Sequence, residues 1–299
     1  MAISPPIKRI YTVLREVDKM EYRVVMSDMD ETFLDERHQI PPANLQALEY
    51  LHNQGVLFVP SSGRPYSSIL SNFGDAHQAL LQDSYVISYN GGFINRVGNN
   101  QPLHSCALDS ALAHKLYRIG VEANLCIHVC FPDGYIVVLD PPAEERAYLV
   151  GLSGVALAHK QDFPSLEAVL EHYGYTEVVK FCVMSEHYPE LLDLGASLKP
   201  ELVDEPCDIT YSSGRYLEFM PQGVNKGSGL RSFSQLVGIP PEQIIAVGDA
   251  RNDLEMVKAA GLGLCVANAS SELKAQADVV LKSSNRDGAL VEIVERFFS

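Results

Sequence analysis

The sequence predicts an α/β protein in which a parallel sheet wrapped by helices is interrupted by an inserted α+β unit. Three observations carry this reading. The first ninety residues alternate as strand, helix, strand, helix, strand, which right-handed crossovers make into a parallel sheet. From residue 94 to residue 215 the pattern changes to hairpin-linked strands mixed with helices, the mark of an antiparallel α+β unit. After Pro221 the strand–helix alternation returns. A chain of 299 residues is long enough for two domains. The expected division is therefore a core of residues 1–93 and 216–299 around an insert of residues 94–215.

The elements justify themselves in order. Ile7, Ile10, Leu14 and Val17 fall at helical spacing after the loop signal Ser4-Pro5-Pro6, so residues 1–20 read as a short amphipathic extension. Tyr22 to Ser27 is apolar and β-branched enough for a buried strand. Pro41-Pro42 opens a helix over Ala43–Asn53 that stops near Gly55. Val56–Pro60 and Tyr85–Ser88 are the next strands. In the insert, helices are expected over Asp109–Glu122, Glu144–Leu152, Ser165–Tyr173 and Tyr188–Leu198. Strands are expected over Leu125–Cys130, Tyr135–Leu139, Thr176–Met184, Asp208–Ser212 and Arg215–Phe219, the first two joined by a Pro132-Asp133-Gly134 turn. Beyond it follow a helix that comes after Asn225-Lys226-Gly227 and ends at Gly238, a strand Ile244–Val247, a helix Leu254–Ala260, strands Gly263–Val266 and Asp278–Leu281, and a final helix Ala289–Phe298.

The polar residues gather where this topology puts chemistry. In a parallel sheet the C-terminal ends of the strands share one edge, and ligands bind there. Five such points carry polar groups: Asp28 with Asp30, Ser62, Asn90, Lys226 just before its helix, and Asp249 with Asn252 and Asp253. Each alone has a plain explanation, since Asp and Ser are ordinary at turns and helix caps. Together they suit phosphoryl transfer. Asp28 is read as the nucleophile that takes the phosphoryl group, and Asp30 as its acid/base partner. Ser62 and Lys226 offset charge on the phosphoryl oxygens, and the oxygen ligands around Asp249 suit Mg²⁺. Cys126, His128 and Cys130 alternate on one strand and share a face, but they lack a fourth ligand, and buried free cysteine is the plainer reading.

Composition narrows the partners. Against 23 basic residues stand 38 acidic ones, a formal charge of −15, which argues against nucleic acid and anionic membranes. An anionic substrate would then need a local cation. There is no apolar run of about 18 residues to span a membrane, and the N-terminus lacks the pattern of a signal peptide. Six cysteines without a paired framework fit reduced thiols and a cytoplasmic protein, monomeric or homodimeric.

Asp28-x-Asp30-x-Thr32, Ser62-Gly63-Arg64-Pro65, Asn90-Gly91-Gly92, Gly223-Val224-Asn225-Lys226-Gly227 and Gly248-Asp249-x-x-Asn252-Asp253 occur in one order. In this the chain resembles the haloacid dehalogenase-like hydrolases, and is most similar to their Cof-type phosphatases, over residues 22 to 297. The resemblance implies a Rossmann-like core with a C2B-type α+β cap. It implies a Mg²⁺-dependent phosphatase for a small phosphorylated metabolite, such as a sugar phosphate, acting through an aspartyl-phosphate. Asp28 would be the nucleophile and Asp30 the acid/base. Asp28, the Asp30 carbonyl, Asp249 and Asp253 would serve the metal. The phosphate would meet Ser62, Gly63, Arg64, Asn90, Gly91, Asn225, Lys226 and Asn252. The chain departs from the family pattern at Glu31, where glycine is usual, at Pro60-Ser61-Ser62, which makes Ser61 a rival for the hydroxyl role, and in its N-terminal extension. A phosphotransferase or mutase on the same fold, and a ligand-binding member without turnover, are the alternatives.

Overall fold

The computed structural model describes residues 22–152, 154–212 and 214–298; the expected amphipathic extension over residues 1–20 lies outside them. The first strand, β1 (Val24–Asp28), leads through a kinked turn to α1 (Pro42–Asn53), β2 (Leu57–Ser61), α2 (Tyr66–Ser71), β3 (Tyr85–Ser88), β4 (Phe93–Arg96) and β5 (His104–Ser105). The middle of the chain gives α3 (Ser110–Glu122), β6 (Cys126–Cys130), β7 (Ile136–Leu139), α4 (Ala143–Leu149), β8 (Val155–Ala158), α5 (Leu166–Tyr173), β9 (Lys180–Met184), α6 (Tyr188–Leu198), β10 (Cys207–Ser212) and β11 (Tyr216–Pro221). The last part gives α7 (Lys226–Val237), β12 (Ile244–Gly248), α8 (Leu254–Ala259), β13 (Leu262–Cys265), β14 (Val279–Val280) and α9 (Ala289–Phe297).

Among the described residues the first sheet has the order β14-β13-β12-β1-β2-β3-β4-β5. It is parallel from β14 to β3, and β4 and β5 add antiparallel at one edge. The chain runs outward from β1 through β2 and β3, then outward again on the other side from β12 through β13. The order therefore reverses between β1 and β12, and the crevice of an open α/β sheet forms at such a reversal.

Alternation along β1 explains the two layers. Val25 turns to a core shared with Leu48 and Leu51 of α1, Ile69 of α2 and Leu290 and Ile293 of α9. Val24 and Met26 turn to the other face, against Leu230 and Phe233 of α7 and Met256 of α8. With both faces covered, β1 and β12 are buried along their whole length, which is why they read as continuous apolar runs.

The second sheet has the order β10-β11-β9-β6-β7-β8 and is antiparallel except for the β7/β8 pair. Ile127, Val129, Phe181, Val183, Leu217 and Phe219 face α3, α5 and α6 in one apolar core. The expected boundaries at 93/94 and 215/216 need correction on both sides. β4 and β5 extend the first sheet beyond residue 93, because Phe93 and Ile94 pair back onto Ser88 and Ile87. β11 is a strand of the second sheet, because it is the hairpin partner of β10 and also pairs with β9.

Other expectations shift less. β8 was expected as neither strand nor helix: its Val-Ala-Leu-Ala sequence is too short and alanine-rich to announce a strand, and pairing to β7 makes it one. The strand expected from Thr176 begins only at Lys180. The Asp109 and Ser165 side chains, at the starts of the expected helices, cap α3 and α5, and Gly238 ends α7 in the left-handed conformation. All six cysteines are free. Cys126, His128 and Cys130 share a buried face, but among the described residues they do not converge as a ligand set. No helix of the described residues is long and apolar enough to cross a membrane.

Candidate active site

The ends of β12, β1 and β2 and the turn after β3 deliver many of the predicted residues to one cavity of about 440 Å³. Asp28 is the last residue of β1, Asp249 follows β12, Ser62 follows β2, and Asn90 lies two residues past β3. All four line the cavity, with Asp30, Gly63, Arg64 and Asn252.

Beneath it lies a carboxylate cluster. Asp28, Asp249 and Asp253 each bring an oxygen within 4.8 Å of the others. Lys226, the first residue of α7, is fully buried between two of them. Its ammonium group donates to Asp28 Oδ1, and to Asp253 Oδ1 at 2.5 Å. The second oxygen of Asp253 accepts the backbone N–H groups of Asp249 and Ala250, each at 3.0 Å. Thr32 Oγ1 donates to Asp249 Oδ1 at 2.8 Å.

This cluster is short of positive charge. Burial pushes the Asp28 carboxyl up to about 6 against the pull of Lys226. Burial also raises Asp249 and Asp253, and for Asp253 the charge of Asp28 adds to it. Burial disfavours the Lys226 cation, but Asp28 and Asp253 outweigh it and hold its pKa above the ordinary range. Three carboxylates for one ammonium, all with oxygen donors, is a setting that fits a hard divalent cation.

Above the cluster Asp30 is held differently. Its Oδ1 lies 2.9 Å from His38 Nδ1 and its Oδ2 lies 3.1 Å from Arg64 Nε. The side chain stands apart from the three-carboxylate group but on the same cavity wall. Ser62 Oγ accepts the Arg64 N–H at 3.2 Å, which leaves its own proton free to donate. Ser61, the rival hydroxyl, is buried at the end of β2 and does not line the cavity. Asn252 reaches across to Asn90, with Nδ2 at 3.5 Å from Oδ1.

Two expected phosphate contacts have other work. Asn225 caps α7: its side chain accepts the Ser228 N–H at 2.9 Å, while Ser228 Oγ accepts the Asn225 N–H at 3.0 Å. Gly91, at φ +102°, lets the backbone of Asn225 approach; a Cβ there would lie 2.3 Å from the Asn225 carbonyl oxygen. Neither residue lines the cavity. Both fix where α7 starts, and so where Lys226 points.

Residues 25–293 match the family of haloacid dehalogenase-like hydrolases. The chain belongs to this family. It is 30% identical over 256 residues to an HMP-PP phosphatase of Yersinia pseudotuberculosis, a match covering 85% of this chain and 86% of the relative. A solved haloacid dehalogenase-like hydrolase from Bacteroides thetaiotaomicron superposes with a TM-score of 0.76 at 26% identity, over 92% of this chain and 99% of the other. A solved sugar phosphatase of subclass IIB shares the fold, with a TM-score of 0.72 at 19% identity, over 92% of this chain and 99% of the other. The two-sheet architecture is accordingly that of a hydrolase core carrying an inserted cap.

Other residues about the site had no role in the sequence reading. His38 reaches Asp30 from a surface loop, at φ +55°, and no motif marks it. Asn268 donates to the Glu31 carbonyl at 2.8 Å and fixes the turn after β1. Gly248 is a third case. A Cβ there would lie 2.3 Å from Asp253 Cγ, so the missing side chain is the space that Asp253 occupies. Gly248→Ala is expected to displace Asp253 from Lys226 and lower turnover by about 10²-fold, the scale of losing one preorganised electrostatic partner. Steady-state kinetics beside a thermal melt would check it; unchanged kcat would mean that Asp253 tolerates the shift.

Proposed function

We propose that this hydrolase is a Mg²⁺-dependent phosphatase that cleaves a small phosphorylated metabolite through an aspartyl-phosphate on Asp28. The observation that carries the reading is the Lys226–Asp28–Asp253 cluster opening on a cavity lined by Ser62, Asn90 and Asp249. Family membership and the activity in the name of the 30% identical relative support it.

The chain's own groups suffice for most of the sequence. Lys226 engages Asp28 Oδ1, so the other carboxylate oxygen is the one presented for attack. That oxygen forms a bond to phosphorus as the ester P–O bond breaks. Protonated Asp30 gives its proton to the leaving oxygen and becomes the base. It then takes a proton from water, whose oxygen attacks the aspartyl-phosphate and frees Asp28 and inorganic phosphate. Ser62 Oγ–H, the backbone at Gly63 and Asn252 stabilise the phosphoryl oxygens by donating to them. Asp28, Asp249 and Asp253 would hold Mg²⁺, which when bound supplies the charge neutralisation that lets one anion approach another. The volume of the cavity fits a small substrate. The unit that carries the second sheet is the cap, and its closure would exclude water.

Phosphate release from a panel of phosphorylated metabolites, including sugar phosphates and HMP-PP, tests the reading. Release in Mg²⁺ that stops in EDTA is the expected result. Isomerised substrate without free phosphate would identify a mutase instead. No turnover of any compound, with binding retained, would identify a ligand-binding member.

A further inference from the structure

Resting on that reading, we infer that Glu31 makes this hydrolase selective for phosphate monoesters whose leaving group carries an ammonium or similar cationic group. Among the described residues four carboxylates line the cavity, and three of them have partners. Asp28 pairs with Lys226, Asp30 with Arg64 and His38, and Asp249 with Thr32. Glu31 is exposed on the cavity wall, and among the described residues its carboxylate has no partner. It is also outside the three-carboxylate group that converges on a single point. Its charge is therefore left for whatever enters the cavity.

The backbone anchors the residue that carries that charge. Glu31 sits at φ +56°, ψ +11°, a left-handed conformation in which a residue with a side chain is disfavoured. Its carbonyl is tied by the Asn268 side chain, and the turn is closed by Leu34 N–H to Met29 O at 2.8 Å. Asn268 is fixed in turn by Asn285, whose N–H donates to its Oδ1 at 3.0 Å. The carboxylate is thus mounted on an anchored turn beside Asp30, the group proposed to protonate the leaving oxygen.

Charge then decides the substrate. Among the described residues Arg64 is the one cationic side chain on the wall, and it is ion-paired with Asp30. Beside a phosphate dianion, a further carboxylate repels the ester unless the leaving group brings a compensating cation. An ammonium group turns that repulsion into attraction. The contact is made alike in the bound substrate and in the transition state, so it acts on KM and leaves kcat unchanged.

Matched substrate pairs test this. Glucosamine 6-phosphate against glucose 6-phosphate, and phosphoethanolamine against ethylene glycol monophosphate, exchange an ammonium for a hydroxyl at two reaches from the ester oxygen. In the wild type the cationic member of at least one pair has the higher kcat/KM. Glu31→Gln and Glu31→Gly reduce that preference about fivefold through KM, the upper scale of a partly exposed ion pair. Glu31→Asp, which keeps the charge, retains it. A preference unchanged in Glu31→Gln overturns the inference, as does a uniform gain for both members of each pair, which would mean repulsion without selection. Turnover of p-nitrophenyl phosphate keeps the two readings apart. If it is absent together with all turnover of the pairs, the phosphatase reading fails and this inference with it. If it is present, only the Glu31 inference is at stake.

Discussion

Asp28→Asn is expected to abolish phosphate release and, at the same time, to make the metal-free protein more resistant to heat at neutral pH. The loss follows from the proposed covalent step, because an amide cannot form the acyl phosphate. Removing a nucleophile of this kind costs on the order of 10⁴-fold or more in turnover. The gain follows from burial. The Asp28 carboxyl is raised from 3.8 to about 6, chiefly by desolvation. A carboxyl raised on folding binds more protons in the folded than in the unfolded chain between those values. Stability therefore falls as pH rises through that window, by on the order of 1–3 kcal/mol once pH exceeds the folded value. Asparagine removes that penalty, and its amide oxygen still accepts from Lys226. The melting temperature of the variant should exceed that of the wild type by a few degrees at pH 7.5, and the difference should vanish toward pH 4. Mg²⁺ should narrow the difference, because a cation bound to the native cluster stabilises the wild type more, by about 2.7 kcal/mol at a hundredfold excess over Kd. A lower melting temperature for Asp28→Asn at pH 7.5, or phosphate release that survives the change, would count against this account.

Why these residues could be found from sequence is itself a matter of topology. Asp28, Ser62 and Asp249 each follow a short apolar run, and a parallel sheet sends the ends of such runs to one edge. The three then line one cavity. Lys226 was less legible, because a lysine at a helix start is ordinarily solvated; only the buried start of α7 reveals that it bridges two carboxylates. Asn225 and Gly91 show the reverse: residues adjacent to the site in motif serve it by seating α7. His38 carried no signal at all, because its link to Asp30 crosses eight residues of irregular loop. In the fold, strand–helix alternation was enough to separate the two units but not to place their borders. β4 and β11 each lie beside a border, and their pairing partners, not their own sequences, decide the sheet they join.

Lys226→Met should cause the largest loss of stability of any single change at the site. Methionine matches the length of the lysine stem, so the space is filled and the missing feature is the charge. Lys226 is fully buried, and its two partners are 6% and 0% exposed. Removing the cation leaves Asp28 and Asp253 facing each other, with Asp249 adding a third charge. Breaking a buried pair in this way costs roughly 3–5 kcal/mol, or about 5–8 °C in melting temperature for a chain of this size. The pH dependence separates charge from packing. Without Lys226 the positive charge that lowers the Asp28 and Asp253 pKa values is gone, so both rise further above 3.8. The folded variant then takes up protons as pH falls from 8 toward 5, which the unfolded chain does not yet do. It therefore recovers stability over that range, and its gap to the wild type narrows. Mg²⁺ should narrow the gap at pH 8 as well, by replacing part of the lost charge, while turnover stays about 10²–10³-fold down because the donor to Asp28 is missing. Melts of both proteins at pH 5, 6.5 and 8, with and without Mg²⁺, make the comparison. A gap that is the same at every pH would assign the loss to packing and remove the charge balance proposed for this cluster.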